Sequence, residues 1–510
     1  MPKLTNWYTK YKFPVLFVYL MIVALIIAAC GGGAGSNTPT ASQPAASTGE
    51  MGASNTPVPT IVATPPAIAR QATGVPDIQC KPDQKQLVWM VRNGPVENQW
   101  EANIVRPEFQ KAHPEICLKI LSINQDDIAV KRQAMIAAGE PLHVWSPNWG
   151  GDGFASDRIR GLIADLTPLI QRDNFDLSVF DPNVLKIYQI DGKTWALPFL
   201  TTGSFVYYNK ELFDKAGVPY PPTSWDDTSW TWDKFIATAK KLTKNTNNLN
   251  KAQFGAANGL WPPVDAIGAL WGYWIIPDEA QQTGFSDGVQ VVNDRTIKAF
   301  QAMHDLVYKD KVAPNNAAVS ALTQLGGVFE SGRVAMFMTG GWGHWSYHPL
   351  IDDPNGFCWG AAPLPMGTPD AKRRAVLFTD PWVITANLSP EEQDLAWTFI
   401  KFLVSEDQAR KYMEATGTPP TQTKLMQEYY KQFSKCMKPE DMKEVFEGAF
   451  SHGRESSNHL LVKFDELNQI WDNGLATFWN NPNAKAEDVL KKIEPQFNSA
   501  LKRIKAEEGQ

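Results

Sequence analysis

Residues 191–226 constrain the fold of this chain more than any other stretch. Two short runs in it, 194–199 and 204–208, are rich in aromatic and β-branched residues and are therefore predicted to be strands. The residues between them, 201–203, are small and polar, which suits a flexible connection. A short helix follows and ends at Gly217. The simplest interpretation is a hairpin followed by a helix.

The first thirty residues have the pattern of an export signal. Three lysines precede a continuous apolar run over 13–29, and the run ends in Ile27-Ala28-Ala29-Cys30. This ending is similar to a bacterial lipobox, with Ile27 where leucine is usual. We therefore predict that residues 1–30 are a lipoprotein signal peptide and that Cys30 is lipidated and anchors the chain on the extracytoplasmic face of the membrane. An uncleaved signal anchor is the alternative, since the run is about long enough to span a bilayer.

Residues 31–78 are predicted to be a disordered tether. Up to residue 75 they consist almost entirely of Gly, Ser, Thr, Ala, Pro and Asn. Such a composition buries too little apolar surface to offset the entropy lost on ordering. A flexible coil of this length spans roughly 35–40 Å, which would hold a folded domain above a membrane.

The charge of the chain argues against a nucleic-acid partner. The net charge is −6, and it becomes −9 without the three presequence lysines, because no acidic residue precedes Cys30. An acidic, exported protein is a poor candidate for nucleic-acid binding, because nucleic-acid phosphates are attracted to a positive surface. The remaining chain is long enough for two lobes, each with its own core.

Four cysteines remain after Cys30, and in an oxidising compartment they can form disulfides. Sequence alone does not choose among the three possible connectivities. Cys80 precedes one predicted strand and Cys117 opens the next, so we favour a Cys80–Cys117 disulfide. Four free, buried thiols are the alternative.

Strands and helices alternate over the first part of the folded region, which is typical of a parallel α/β sheet. The predicted elements are strands over 87–91, 117–123 and 142–145 and helices over 98–112 and 128–138. Pro107 is expected to kink or split the first helix. Later, Ser389 and Glu392 form a capping box with Pro390 at the first helical position, which predicts the start of a long helix.

Several of these segments resemble the extracellular solute-binding proteins, specifically the sugar-binding family of the maltose-binding type. The resemblance rests on Leu197-Pro198, Tyr208-Asn209-Lys210, Ala216-Gly217-Val218 and Ser224-Trp225, and also on Gly340-Gly341-Trp342 and on residues 396–419. In that family the chain crosses between lobes near residue 200. The resemblance covers most of residues 85–420.

The resemblance implies an α/β fold with two lobes, of the type II periplasmic-binding-protein kind. The sheets would be mixed but mostly parallel, with helices on both faces and a ligand cleft between the lobes. We expect the first lobe to contain residues 79–200 plus 337–378 and the second to contain 201–336 plus 379–510.

Nineteen tryptophans are many for this length, and several stand in predicted loops. An aromatic ring matches the apolar face of a sugar, whereas carboxylate, amide and guanidinium groups satisfy its hydroxyls. We expect most tryptophans to be core residues. Trp149 and Asp152, in the loop after the third strand, are the leading candidates for ligand contacts in the first lobe. The other predicted ligand contacts are Trp342, Trp261, Thr202, Asn93, Glu97, Trp382 and Arg454.

The motifs that would indicate an enzyme lack their structural context. Gly284-Phe-Ser286-Asp-Gly288 fits a nucleophile elbow, but no strand is predicted before the serine. His344 and His348 have the spacing of a zinc helix but lack the neighbouring acids. We therefore expect no catalytic residues, no cofactor and no metal.

The expected function is the binding component of an ABC importer, which captures a sugar or oligosaccharide by hinge closure and delivers it to permease subunits. The expected partners are the saccharide, the permease and the membrane, and the protein is expected to be a monomer. An exported carbohydrate-active enzyme and a binding protein for a polyamine or peptide are the alternatives.

Overall fold

The computed structural model of the chain describes residues 74–150 and 152–509. The predictions for residues 1–30, including lipidation of Cys30, and for the tether up to residue 73 lie outside these residues. Within the described part, none of the helices combines the length and the apolar composition needed to cross a membrane.

The strands form two principal sheets and one small hairpin. They are β1 Lys85–Arg92, β2 Ile116–Ile123, β3 Val144–Trp145, β4 Gln189–Ile190, β5 Lys193–Thr194, β6 Leu197–Thr202, β7 Ser204–Asn209, β8 Ala257–Gly259, β9 Met336–Gly340, β10 Trp359–Ala362, β11 Ala375–Ile384 and β12 Gly453–Glu455.

Helices cover both sheets. They are α1 Pro95–Trp100, α2 Arg106–Ala112, α3 Gln125–Ala138, α4 Gly153–Ile159, α5 Thr167–Asp173, α6 Pro182–Lys186, α7 Lys210–Ala216, α8 Trp232–Leu242, α9 Pro263–Leu270, α10 Asp278–Thr283, α11 Asp294–Tyr308, α12 Asn316–Gln324, α13 Gly343–Tyr347, α14 Pro390–Leu403, α15 Glu406–Thr416, α16 Thr423–Lys431, α17 Pro439–His452, α18 Ser457–Leu460, α19 Phe464–Asn480 and α20 Ala486–Glu508.

The first sheet has the order β12-β11-β3-β1-β2, with β6 paired to β11. β1 runs parallel to β2 and β3, as the alternation of strands and helices predicted. β11 is antiparallel to β3 and to β6. A π-helical turn over 101–105 connects α1 to α2 just before Pro107. The helix is therefore irregular next to Pro107, but its helical backbone is not interrupted there.

The second sheet has the order β10-β7-β9-β8. β7 follows β6 after the single residue Gly203, so the chain passes from the first sheet to the second at this point. β11 carries the chain back from the second sheet to the first. We call the body around the first sheet the first lobe and the body around the second sheet the second lobe.

The pairing corrects the expected lobe boundaries. β9 and β10, in the 337–378 segment that was assigned to the first lobe, both pair with β7 in the second sheet. Conversely, the end of β11 pairs with β3, and Phe399 of α14 packs on Trp89 in the first core, although residues after 379 were assigned to the second lobe. The predicted boundary was wrong because the chain returns from the second lobe to the first along β11 and not at residue 337.

Two disulfides reinforce the fold. Cys80–Cys117 joins the segment before β1 to β2, with the Cα atoms 5.5 Å apart, as the adjacency of the two strands predicted. Cys358–Cys436 joins the residue before β10 to the segment before α17. The alternative of four free thiols is therefore wrong.

Candidate functional site

β11 connects the two lobes and brings most of the predicted site residues into two clusters. Its first half pairs with β12, its middle pairs with β6, and its last residues pair with β3. The register shifts between Asp380 and Pro381, which marks a β-bulge. Bulges bend a strand and re-aim its side chains, so the strand changes direction where the lobes meet.

The first cluster surrounds Trp149 at the carboxyl end of β3, and we call it the first-lobe cluster. The indole Nε1 of Trp149 donates a hydrogen bond of 2.8 Å to Asp380 Oδ2. The Trp149 ring meets Phe199 edge-to-face, with centroids 5.8 Å apart. The Arg92 guanidinium lies 5.2 Å from the ring centroid, within the range of a cation–π contact.

Asn93 and Glu97 lie beside this cluster, at the carboxyl end of β1. Glu97 accepts a hydrogen bond of 3.0 Å from Arg92 Nη2. The side-chain oxygen of Asn93 accepts hydrogen bonds from Asn98 and Ser122. The carboxyl ends of parallel strands share one edge of a sheet, which is why these residues come close to the loop after β3.

The second cluster surrounds Phe378 at the start of the bend in β11, and we call it the crossover cluster. The Phe378 ring centroid lies 5.0 Å from that of Trp342 and 6.2 Å from that of Trp261, and the Trp261 contact is stacked. Thr202 pairs with Phe378 across the two strands. Three of the predicted contacts, Trp342, Trp261 and Thr202, are therefore brought together.

The two glycines before Trp342 permit this packing. A Cβ atom on Gly340 would lie 2.1 Å from the Trp342 ring, and one on Gly341 would lie 1.4 Å from the Thr202 hydroxyl oxygen. These two glycines therefore let the Trp342 ring and Thr202 approach the backbone closely. The hydroxyl of Thr202 and the indole N–H of Trp261 are buried and lack a hydrogen-bond partner within the described ranges. Buried polar atoms are nearly always paired, so these two are suited to a polar ligand.

Trp382 was predicted to contact the ligand, but the structure places it in the hydrophobic core. It is 1% exposed, stacks on Phe199 at 4.3 Å between centroids, and meets Trp89 and Trp149 edge-to-face. Trp382 is therefore a core residue of the first lobe, because β11 continues through the Asp380-Pro381 bulge instead of becoming a loop there.

Asp152 and Arg454 lie apart from both clusters. Asp152 forms an ion pair of 2.9 Å with Arg160. Arg454 lies 4.1 Å from the ring centroid of Trp274 and pairs with Asp278 at 2.9 Å. The Asp152 carboxylate and Arg454 Nη1 are paired with protein groups, whereas Arg454 Nε and Nη2 are buried and lack a hydrogen-bond partner among the described residues. The ligand contacts of both residues therefore stay predictions.

A buried polar network anchors β11 between the clusters at Thr379. Its carbonyl oxygen accepts hydrogen bonds from Asn148 Nδ2 and the Tyr188 hydroxyl, its hydroxyl pairs with that of Thr201 at 2.9 Å, and its N–H donates to Glu455 Oε1. Burial raises the pKa of Glu455, and the hydrogen bond from His459 partly opposes this. The network ties Thr379 to β6, to β12 and to the loop after β3.

Four residues of these clusters were missed by the sequence reasoning: Arg92, Phe199, Phe378 and Asp380. Arg92 immediately precedes Asn93 at the end of β1, so the same strand-end argument would have found it. Phe378 and Asp380 alternate on β11, which was not recognised as one continuous strand. Asp380 attracted attention only because glycines are usual at that point in the family that the chain resembles.

The two clusters suit the binding of an uncharged polar molecule. Aromatic rings offer apolar faces, while the Asp380 carboxylate, the Arg92 guanidinium and the Thr202 hydroxyl offer hydrogen bonds in a largely dry environment. In the part of the chain that the structure describes, no group of three or more His, Cys, Asp or Glu side chains could hold a metal ion. Ser286 lies in a loop after α10, and its hydroxyl donates to the Gly288 carbonyl, so it is not on a nucleophile elbow.

The two-lobe fold is that of solute-binding proteins. The family model described as "Bacterial extracellular solute-binding protein" matches residues 106–435. The chain belongs to this family, which is extracellular by description, and it has the two-lobe type II fold.

Relatives and solved structures agree with this assignment. The diacetylchitobiose binding protein DasA of Streptomyces coelicolor (strain ATCC BAA-471 / A3(2) / M145) is 23% identical over 355 residues, which cover 66% of this chain and 73% of the relative. An ABC substrate-binding protein of Listeria monocytogenes in complex with cycloalternan has a TM-score of 0.66 and 23% identity and covers 82% of this chain and 99% of its own. UgpB of Mycobacterium tuberculosis in complex with glycerophosphocholine has a TM-score of 0.63 and 18% identity, with 82% and 99% covered.

Proposed function

We propose that this chain is the binding component of an ABC importer and that its solute is a sugar or oligosaccharide. The observation that carries the proposal is the placement of aromatic rings on both sides of β11, where the two lobes meet, together with the unpaired Thr202 hydroxyl and Trp261 indole N–H of the crossover cluster. Two of the three relatives described above are named for an oligosaccharide or solved with one, which supports the same solute class.

The aromatic rings of the two clusters supply contact surface for a sugar ring. Trp149 and Phe199 belong to the first lobe, whereas Trp342 and Trp261 belong to the second. A solute that touches both groups binds the closed arrangement of the lobes better than an open one, and therefore shifts the population toward closure. The proposed hinge points are Gly203, between β6 and β7, and the Asp380-Pro381 bulge in β11.

A thermal-shift screen against saccharides tests the solute class. A saccharide that binds the native state at 100 times its Kd should add about 2.7 kcal/mol to the free energy of unfolding. The panel should contain mono-, di- and oligosaccharides, with glycerophosphodiesters, polyamines and short peptides as comparison classes. Stabilisation by one of the comparison classes alone would contradict the sugar assignment.

A non-sugar solute is the second candidate. The solved UgpB complex contains glycerophosphocholine, so this fold also accommodates a phosphodiester with a quaternary ammonium group. Aromatic rings with the Asp380 carboxylate would suit the cationic part of such a molecule. An exported carbohydrate-active enzyme is the remaining alternative, but the matching family model describes binding proteins.

The proposed location is the extracytoplasmic face of the cell membrane, with Cys30 as the lipid anchor. The support is the Ile27-Ala28-Ala29-Cys30 sequence after an apolar run. Replacing Cys30 with Ser should release the protein from membranes or block its processing, measured by fractionation and mass spectrometry. Retention with an intact presequence would instead indicate a signal anchor.

A further inference from the structure

A cavity lies in the second lobe, at the end of β7 that is remote from the proposed solute site. Its volume is about 490 Å³, and its apolar walls come from two tyrosines, two prolines and a methionine: Tyr208, Tyr220, Pro221, Pro222 and Met437. Five strand residues, or about 17 Å of β7, lead from Gly203 to Tyr208, so the cavity is separate from the crossover cluster. Concave sites of about 300–1,000 Å³ with mostly apolar walls are the usual binding sites for small molecules.

The Cys358–Cys436 disulfide forms part of the wall of this cavity. Lys210 is tied to both half-cystines, because its backbone N–H donates to the Cys358 carbonyl at 3.0 Å and its ammonium group donates to the Cys436 carbonyl at 2.6 Å. The same ammonium group lies 4.7 Å from the centroid of the Tyr220 ring, within the range of a cation–π contact. Lys210, Cys436 and Tyr220 therefore hold one another in place without a ligand.

The hydroxyl of Tyr208 is an unused polar group in this cavity. The side chain is 3% exposed, and its hydroxyl forms no hydrogen bond with any residue that the structure describes. Gly360 of β10 makes room for it, since a Cβ atom there would lie 2.4 Å from the hydroxyl oxygen. Burial raises the pKa of Tyr208, so the hydroxyl keeps its proton and can donate a hydrogen bond. Buried polar groups are nearly always paired, so this hydroxyl marks a place for an acceptor.

The charged side chains around the cavity favour an anion. Lys210 and Lys438 line it against one lining carboxylate, that of Asp441. A third lining lysine, Lys435, is paired with Asp352 at 3.1 Å. The ammonium group of Lys438 has no partner among the described residues, so it is available to a ligand.

The N-terminus of α17 adds further donors at the same place. Lys438 is the N-cap of this 14-residue helix, and its side chain does not cap the helix. The N–H groups of Glu440 and Asp441 in the first turn have no acceptor within the described ranges. Free N–H groups in this position, together with the helix dipole, attract anions.

We propose that this cavity is a second ligand site and that it takes a small aromatic carboxylate. The donors for the carboxylate are the Tyr208 hydroxyl, the Lys438 ammonium group and the first-turn N–H groups of α17. The flat faces of Tyr220 and of Pro221-Pro222 suit a flat ring. The inference does not depend on the proposed function, because none of these residues belongs to the clusters along β11.

Fluorine NMR titration of the full chain, purified in detergent, tests the site with para-fluorobenzoate as the probe and a detergent blank. The matched probe is para-fluorobenzamide, which has the same ring and nearly the same size but no charge. We expect the carboxylate to bind with a Kd of about 1 mM and the amide to bind at least about tenfold more weakly. Equal Kd values for the two probes, or no binding of the carboxylate up to about 10 mM, would overturn the proposal.

Tyr208→Phe is the deciding variant, because it removes only the hydroxyl. It should raise the Kd of para-fluorobenzoate roughly three- to thirtyfold. The midpoint of urea unfolding should stay the same or rise slightly, since no hydrogen bond within the protein is lost. If this variant binds the carboxylate as tightly as the wild type, the probe lies elsewhere and the site does not exist.

Lys438→Gln tests the charge at the rim of the cavity. It should raise the Kd of para-fluorobenzoate roughly two- to fivefold, because exposed charges act weakly. Lys443→Gln is the matched control, since Lys443 lies on the same helix but outside the cavity lining and pairs with Glu447. Equal effects of the two variants would overturn the role of Lys438.

Trp261→Ala separates this site from the proposed solute site. It should leave the Kd of para-fluorobenzoate unchanged, because Trp261 belongs to the crossover cluster. Loss of binding in this variant would place the probe in the solute site and would overturn the second site. A negative saccharide screen would leave all these measurements unaffected, so failure of this site and failure of the proposed solute class are distinguishable.

Discussion

At the scale of single residues, the solute proposal depends on the indole of Trp261, which stacks on Phe378 and whose N–H is unpaired among the described residues. Trp261→Ala should weaken saccharide binding by about 1–3 kcal/mol, roughly 5- to 150-fold in Kd, through lost apolar contact. Calorimetric titration measures this. Trp195→Ala is the control, because Trp195 packs with Lys193 and Arg158 in the first lobe, away from both clusters. Equal affinities for both variants and the wild type would place the solute elsewhere.

His344 gives a second prediction at this scale. The ring is fully buried, with Nδ1 2.8 Å from the Gly341 carbonyl and bonded to the Tyr207 hydroxyl, and burial lowers its pKa to about 3. An unfolded histidine titrates near 6.5, so below that pH the unfolded state binds a proton that the folded state does not. The stability contributed by neutral His344 is complete above about pH 6.5 and declines as the pH falls toward 3.

Urea unfolding of His344→Gln at pH 7 and pH 5 checks this. The wild type should lose about 2 kcal/mol more than the variant between these two pH values, at about 1.4 kcal/mol per pH unit below 6.5. His113→Gln, at the partly exposed C-terminus of α2, is the control and should follow the wild type. The same pH dependence in all three proteins would show that His344 does not titrate as described.

At the scale of elements, a buried ion pair fixes α3 against α4. Arg132 Nη2 and Asp157 Oδ2 are 2.7 Å apart, both side chains are 0% exposed, and the Arg132 guanidinium also donates to the Trp149 carbonyl. The pair therefore determines where the Trp149 loop lies. Arg132→Met would leave Asp157 buried without its partner and should lower the free energy of unfolding by about 3–5 kcal/mol.

The double variant Arg132→Met/Asp157→Leu separates the two causes of that loss. With both charges gone, no buried carboxylate remains unpaired, so the double variant should recover most of the stability. Denaturant unfolding compares the three proteins. If the double variant is no more stable than Arg132→Met, the loss comes from packing against Trp145 and not from the unpaired charge.

Elements with a strong local pattern could be predicted from the sequence, whereas their pairing partners could not. β1, β2 and α3 follow from apolar runs and from the left-handed Gly139, and α14 follows from its capping box. The segment that contains β9 and β10 was given to the wrong lobe, because local periodicity does not say which distant strand completes a sheet. Trp382 was misplaced for the same reason, since a Pro-containing bulge in a strand looks like a loop in the sequence.

At the scale of the whole molecule, the chain passes between the lobes at several places. It crosses after Gly203, along β11, and again between Leu460, which is buried in the first core, and Leu461, which is buried in the second. The crossing at Gly203 could be predicted, because residues 201–203 are small and polar. The crossings along β11 and at 460–461 could not, because they depend on strand pairing and packing that only the folded chain provides.

A confirmed saccharide should shift the balance between open and closed lobes. Single-molecule FRET can measure this with fluorophores at Val130 on α3 and Leu325 after α12, whose side chains are 72% and 52% exposed. Saturating saccharide should increase the closed population, because the solute gains contacts from both lobes only in that arrangement. Trp261→Ala should need more saccharide for half-maximal closure, but its distance distribution without solute should equal that of the wild type. An interlobe distance that stays constant at saturating saccharide would rule out closure as the response to solute, whatever the affinity.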